Sequence, residues 1–233
     1  MITLQHYDPR SRHVYSDHGR SYQFGNNQYP GVSAILNGFP TGRKRDGQKN
    51  TYVSAAMTRG SLFHSVMEHH FRGNGDPIAN TLADAQRSQV LPYWDSVKNV
   101  LPRISDIQLV ESAVWHEVGH YAGTVDLVCS FDSRPVILDW KTTAQLKPMN
   151  CTRYFLQLSA YCGAVNRMYG TQIRHGVIVL LLPDAEAQIL KFSLAHYWQR
   201  WLVKLIAYWQ LTATPQSDQV LERIYSEYGI TTI

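Results

Sequence analysis

Cysteine is scarce: the 233 residues hold three, Cys129, Cys151 and Cys162, odd in number and without C-x-x-C spacing. A disulfide framework and a zinc knuckle are thereby excluded, and thiols of a reducing compartment are expected. No apolar run reaches membrane length; the longest, Val177 to Leu182, is strand-sized. Met1 to Arg20 carries polar residues and histidines throughout, with no apolar signal core and no amphipathic presequence. Charge of one sign is lacking too, with 22 Lys and Arg against 18 Asp and Glu, a formal net charge of +4 and a pI near 8.9. That balance admits a polyanionic partner without requiring one. What is present is 44% hydrophobic residues, enough for a sizeable core and too many for a disordered chain. No repeat or low-complexity segment appears.

The hydrophobic period changes along the chain. Arg12 to Phe24 reads as a hairpin around an Asp17-His18-Gly19 turn, and Val32 to Leu36 as a short helix. Thr41 to Asn50, with Arg43, Lys44, Arg45 and Lys49, has little to bury and reads as a basic loop. Thr51 to Phe71 places Leu62, Phe63, Val66, Met67 and Phe71 at helical spacing. Ala79 to Val100 is a second helical stretch, with a break or kink expected at Pro92. Three β-type runs follow, Ile107 to His116, Gly123 to Phe131 and Pro135 to Trp140, the last two joined by a turn at Asp132 to Pro135. Arg153 to Tyr169 is helical, Ile173 to Leu182 and Ile189 to Leu194 are strands, and Ala195 to Leu211 is helical, ahead of a weak helix after Pro215. The order predicts a mixed α/β or α+β fold, not a doubly wound sheet. We divide it into an N-terminal hairpin and basic loop (1–50), a core (51–212) and a tail (213–233).

The chemistry concentrates around Gly123-Thr-Val-Asp126 and Asp139-Trp-Lys141. Residues two apart on a strand share a face, so Asp139 and Lys141 point together, and the hairpin brings Asp126 beside them. Converging carboxylates suit a hard divalent cation. A buried strand running into Asp-x-Lys costs desolvation energy unless its charges are paired or metal-bound. Lys141 beside such acids is placed to stabilise charge on a phosphate. Two pairs share helix faces at i, i+4 spacing, Gln157 with Tyr161 and His64 with Glu68. Taken alone, the first reads as surface Gln and buried Tyr, and the histidine as structural.

Together, Gly-x-x-Asp, Asp-x-Lys and Gln-x-x-x-Tyr resemble the RecB-like group of the PD-(D/E)XK nuclease superfamily, with His64 at that group's upstream histidine. Glu111-Ser-Ala-Val-Trp-His-Glu117, Lys147-Pro148 and Gly163-Ala-Val-Asn166 add a likeness to exonucleases of mitochondrial genome maintenance and their phage and bacterial relatives. The resemblance runs from about Tyr29 to Trp209. It implies a restriction-endonuclease-like αβββαβ core, a central mixed sheet flanked by helices. It implies Mg²⁺ or Mn²⁺ held by His64, Asp126, Asp139 and the Trp140 backbone carbonyl, with Lys141 as the catalytic lysine and Gln157 and Tyr161 in support. Glu68 and Glu111 would be supporting groups or ion-pair partners of Arg59. The implied substrate is DNA, with a preference for single-stranded ends; endonuclease action by the same fold is the alternative. Thr142 and Thr143 are candidates for a phosphate, Arg59 and the basic loop for guiding the strand, and Tyr52 or Trp140 for base stacking. The four-cysteine iron–sulfur pattern of some relatives is missing, so no cluster is expected. Without a presequence, the expected setting is the cytoplasm of a bacterium or phage-infected cell.

One motif competes. His116-Glu117-x-x-His120-x-x-Gly123-x-x-Asp126 has the spacing of a zinc metalloprotease. It needs a helix, yet it lies between β-type runs rich in poor helix formers, so a strand, a turn at Gly119-His120 and a strand are expected. A nucleic-acid-binding module without catalysis would use the basic loop and the aromatic residues. The Asp/Asp/Lys set argues for catalysis instead.

Overall fold

A computed structural model describes residues 4–16, 19–38, 51–73, 75–143, 148–183 and 185–231. The basic loop with Arg43, Lys44, Arg45 and Lys49, the hairpin turn at Asp17-His18 and Lys147 lie outside the described residues, as does the side chain of Tyr52. At the N-terminus, β1 (His13–Ser16), β2 (Gly19–Phe24) and β3 (Asn27–Pro30) form an antiparallel sheet. The sequence reading finds the first hairpin but not β3, where Tyr29 alone is buried and no alternation marks the strand. Gly31 follows, bonding the Arg20 carbonyl at 2.9 Å and bridging to Ala122 of the main sheet. Helix α1 (Val32–Asn37) comes next.

Helix α2 (Thr51–Phe71) buries Phe63, Val66 and Met67, as its spacing predicts. The stretch after it is two helices, α3 (Pro77–Thr81) and α4 (Asp84–Val97). The break falls at Leu82-Ala83, and α4 continues through Pro92, so of the break or kink expected there the break does not occur. Asp76 caps α3 by accepting from the amides of Ile78 and Ala79, and Gln86 Oε1 accepts from the Ala83 amide, so the helix restarts there.

The main sheet has the order β4 (Ile104–His116), β5 (Tyr121–Phe131), β6 (Arg134–Thr142), β7 (His175–Leu181), β8 (Gln188–Ser193). All neighbours are antiparallel except β6 and β7, which are parallel and joined across helix α5 (Pro148–Tyr169). Helices α6 (Ala195–Thr212) and α7 (Pro215–Tyr228) follow. The weak tail expected after Pro215 is a full helix, capped by Thr214 and burying Val220 and Ile224. At the β4 edge, the Ala113 amide bonds the Tyr7 carbonyl at 2.8 Å, so the N-terminal segment covers an otherwise open strand.

The sheet is sandwiched. Ile137, Ile178 and Leu180 pack with α5, α6 and α7 on one face. Val136, Leu138 and Trp140 pack with α2 and α4 on the other. The alternation along β6 therefore turns Asp139 and Lys141 toward the α5 side. Trp140, 1% exposed and packed on Phe63 and Phe71, belongs to the core and is not free to stack on a base. No described helix is long and apolar enough to cross a membrane.

Candidate active site

Strands β5 and β6 stay in register up to Leu127 opposite Leu138, and the ladder ends there. Asp126 and Asp139 are the next residues on each strand. In place of a ladder partner, Trp140 donates its amide to Asp126 Oδ2 at 2.9 Å. Strand β6 meanwhile keeps its pairing to β7 through Thr142. Two buried carboxylates thus converge where β5 and β6 part, at the floor of a cleft of about 360 Å³. Asp126 lies in the middle of β5 rather than near its start, because the strand begins at Tyr121, whose buried hydroxyl donates to the Ala160 carbonyl at 3.0 Å.

The charges compensate one another. Lys141 Nζ donates to Asp139 Oδ1 at 2.9 Å and lies 2.6 Å from Oδ2. Its ammonium also sits 5.2 Å from the centre of the Tyr154 ring. Burial, then repulsion from Asp126, raises the Asp139 carboxyl to about 6 despite Lys141. Burial raises Asp126 as well, against the pull of His64. Burial opposes the charge on Lys141, but Asp139 and Asp126 outweigh it and raise the ammonium further. Burial likewise opposes charge on His64, yet Asp126 and Glu111 overcome it and hold the imidazole protonated up to about 10.

Glu111 completes the cluster. Its Oε1 lies 2.8 Å from His64 Nδ1, and Asp126 Oδ2 lies 3.4 Å from the same nitrogen. Donor atoms of His64, Glu111 and Asp126 all fall within 4.8 Å of one another. An imidazole with two carboxylates this close suits a divalent cation, so the donor set fits Mg²⁺ or Mn²⁺. Asp139 stands beside this group, engaged by Lys141. Glu111 adopts φ +42 within β4, a left-handed conformation that costs a non-glycine residue roughly 1–3 kcal/mol. The strained backbone delivers the carboxylate to His64.

The motif residues on α5 meet the same floor. Gln157 Nε2 donates to the Tyr161 hydroxyl at 2.9 Å. The Tyr161 ring occupies the space a side chain at Gly123 would need: a Cβ there would stand 2.2 Å from Tyr161 Cε1. Glycine in Gly-x-x-Asp is thus tied to tyrosine in Gln-x-x-x-Tyr by packing. Glu68 lines the cleft but pairs with Arg10 and, at 3.1 Å, with Arg72. Neither Glu68 nor Glu111 pairs with Arg59, the second of the two roles offered for them; the Arg59 guanidinium lies over the Tyr93 ring of α4, 5.0 Å from its centre. Arg59, Thr142 and Thr143 are not among the described residues that line the cleft. Among the lining residues not anticipated are Pro9, Arg10, His13 and Arg20, from the N-terminal segment. The hairpin pattern placed His13 on a strand and Arg20 between the turn and the second strand, without showing which part of the molecule the hairpin meets.

The protease-like motif comes apart. His116 ends β4, and its Nδ1 accepts from the Gly119 amide at 3.0 Å while Nε2 faces the Tyr228 hydroxyl at 3.2 Å. His120 turns instead to the Gln28 carbonyl at 3.0 Å. Glu117 is exposed. The two imidazoles hold a turn against neighbouring elements. Among the described residues that line a second cavity of about 320 Å³, beside His116, Trp198 and Tyr228, none is a carboxylate.

Comparison with known proteins agrees with this geometry. Mitochondrial genome maintenance exonuclease 1 of Mus musculus is 32% identical over 165 residues, 67% of this chain and 47% of that protein. The Homo sapiens protein of the same name is 30% identical over 191 residues, 78% of this chain and 53% of its own. That of Xenopus tropicalis is 35% identical over 170 residues, 67% of this chain and 46% of its own. The chain thus spans about half the length of these relatives. The family model described as PD-(D/E)XK nuclease superfamily matches residues 38–223, and with Asp126, Asp139 and Lys141 gathered at the end of a mixed sheet, the chain belongs to that superfamily.

Proposed function

We propose that this chain is a divalent-metal-dependent DNA exonuclease that hydrolyses phosphodiester bonds at single-stranded ends. The observation that carries the reading is the convergence of Asp126, Asp139 and Lys141 with His64 and Glu111 in one cleft. His64, Glu111 and Asp126 would hold the cation, joined by Asp139 and the Trp140 carbonyl. Bound there, Mg²⁺ or Mn²⁺ supplies Lewis-acid stabilisation of phosphate charge and lowers the pKa of a water.

The chain's own groups do the rest. Asp139 fixes Lys141 so that its ammonium faces the cleft as a point charge for the attacking water and the non-bridging phosphate oxygens. Water oxygen forms the new bond to phosphorus, the bridging P–O bond breaks, and the leaving oxygen takes a proton. Gln157 steadies the Tyr161 hydroxyl at the wall, and burial keeps that hydroxyl protonated. The names of the relatives support exonuclease action, and the likeness to the RecB-like group supports the preference for single strands.

Strand and end preference is tested by offering linear single-stranded, linear double-stranded and circular single-stranded DNA with Mg²⁺. Loss of linear single strands with circles spared is the expected result. Cleavage of circles would make the chain an endonuclease of the same superfamily.

A further inference from the structure

Helix α5 turns one stripe of side chains toward β5 and β6. Tyr154, Gln157 and Tyr161 stand at i, i+3 and i+7, so they share a helix face. Gln157 and Tyr161 line the cleft, and the Tyr161 ring is pressed against Gly123 on β5. Tyr154 meets the neighbouring strand instead: the Lys141 ammonium lies over its ring, 5.2 Å from the centre. One face of α5 therefore touches both strands that carry the acid–lysine set. Tyr154 is half-buried and packed against the core on the α5 side of the sheet, which fixes its ring. Lys141 is among the described residues that line the cleft, and Tyr154 is not. The ring thus stands behind the lysine rather than in the path of a ligand.

A lysine needs such a neighbour. Its ammonium ends a flexible four-carbon stem, so aiming it costs side-chain entropy unless contacts restrict the rotamers. Asp139, whose oxygens lie 2.9 and 2.6 Å from Nζ, stands two residues away on the same strand. An ammonium can turn about a carboxylate and keep the ion pair, so this contact fixes distance better than direction. The Tyr154 ring comes from a different element and offers a face whose negative charge attracts the ammonium. With 20% of the Lys141 side chain exposed, little water competes for that attraction. Held from β6 by the carboxylate and from α5 by the ring, the ammonium is aimed before any charge develops on a substrate.

We propose that Tyr154 is a positioning residue for Lys141: its ring holds the ammonium toward the cleft without itself meeting the substrate. The assignment rests on the nuclease reading above and adds to it the group that aims the lysine.

Steady-state cleavage of an end-labelled single strand with Mg²⁺ tests the assignment. Tyr154→Leu, which fills the space without a ring, should lower kcat about tenfold, the scale of one desolvated cation–π contact. KM should stay within about twofold, because losing an interaction used only in the transition state lowers kcat and kcat/KM together. Binding of the same strand with Ca²⁺ in place of Mg²⁺, followed by fluorescence anisotropy, should match the wild type. Tyr154→Phe keeps the ring and should retain kcat to within about twofold. Tyr154→Phe carrying one, two or three ring fluorines keeps the shape while draining negative charge from the ring face, so kcat should fall stepwise along that series. The fluorinated series decides the matter if Tyr154→Leu melts early. A folded Tyr154→Leu with wild-type kcat, a raised KM with kcat intact, a Tyr154→Phe as slow as Tyr154→Leu, or a kcat indifferent to fluorination overturns the Tyr154 assignment and leaves the nuclease reading standing. A wild-type chain that cuts no DNA in Mg²⁺ or Mn²⁺ overturns both.

Discussion

Lys141 holds its charge where burial works against it, and the two aspartates do most to keep it there. Lys141→Ala should therefore do two things. Cleavage should fall by about 10²-fold or more, the usual loss when a preorganised charge is removed from a transition state. Asp139, deprived of its partner, should titrate above its present value of about 6. Cleavage assays and carboxyl titration by NMR check the pair; full activity in a folded variant would sink the role given to Lys141. At this scale the sequence was partly legible. Period-two alternation put Asp139 and Lys141 on one face, and an apolar run announced their burial. The left-handed backbone of Glu111 has no such signal, because nothing in Val110-Glu111-Ser112 marks a turn. Its meeting with His64, 47 positions away, depends on how α2 lies across β4.

Among the elements, β5 and α5 meet closely enough at Gly123 and Tyr161 to exclude a side chain. Gly123→Ala would drive a methyl group into Tyr161, and the overpacking should cost about 1–3 kcal/mol. Because Tyr161 bonds Gln157, activity should fall with stability. In Gly123→Ala/Tyr161→Ala the clash disappears, so the two substitutions should be non-additive in denaturant melts. Additive losses would mean that the ring moves aside freely. Long amphipathic segments such as α2 were legible from side-chain spacing alone. Breaks were not: Pro92 looked like the interruption, yet caps at Asp76 and Ala83 set the real one. The histidine pair around Glu117 misleads for a related reason. Its spacing is that of a helix, but the β-branched and aromatic residues on either side make strands, and the histidines bond a turn, α7 and β3.

For the whole molecule, the N-terminal sheet and α7 both depend on the β4–β5 turn, and His116 sits at that junction against Tyr121 and Tyr228. Burial, with Arg167 second, lowers its pKa from 6.5 to about 4. An unfolded chain would take up a proton there that the folded chain refuses. Stability from this residue is thus complete above pH 6.5 and lost as pH falls toward about 4. A shift of this size amounts to about 3 kcal/mol. His116→Gln should flatten the decline of stability between those pH values; an unchanged slope in chemical denaturation would show that other groups govern it. The sheet flanked by helices was implied by the family resemblance, while the order of elements follows from the sequence, since changes of hydrophobic period separate the helices from the strands. The N-terminal wall of the cleft does not, because no short-range pattern records that Tyr22 packs beside Thr124, 102 positions away.

The central claim is that the buried Asp126, Asp139 and Lys141 form a hydrolytic centre that works with a divalent cation. End-labelled single-stranded DNA incubated with the purified chain, in Mg²⁺, Mn²⁺ or EDTA and beside Asp139→Ala, tests it directly. Cleavage in either metal, none in EDTA and none by the folded variant is the predicted result. Cleavage that survives EDTA, or an Asp139→Ala variant that cuts like the wild type, would contradict it.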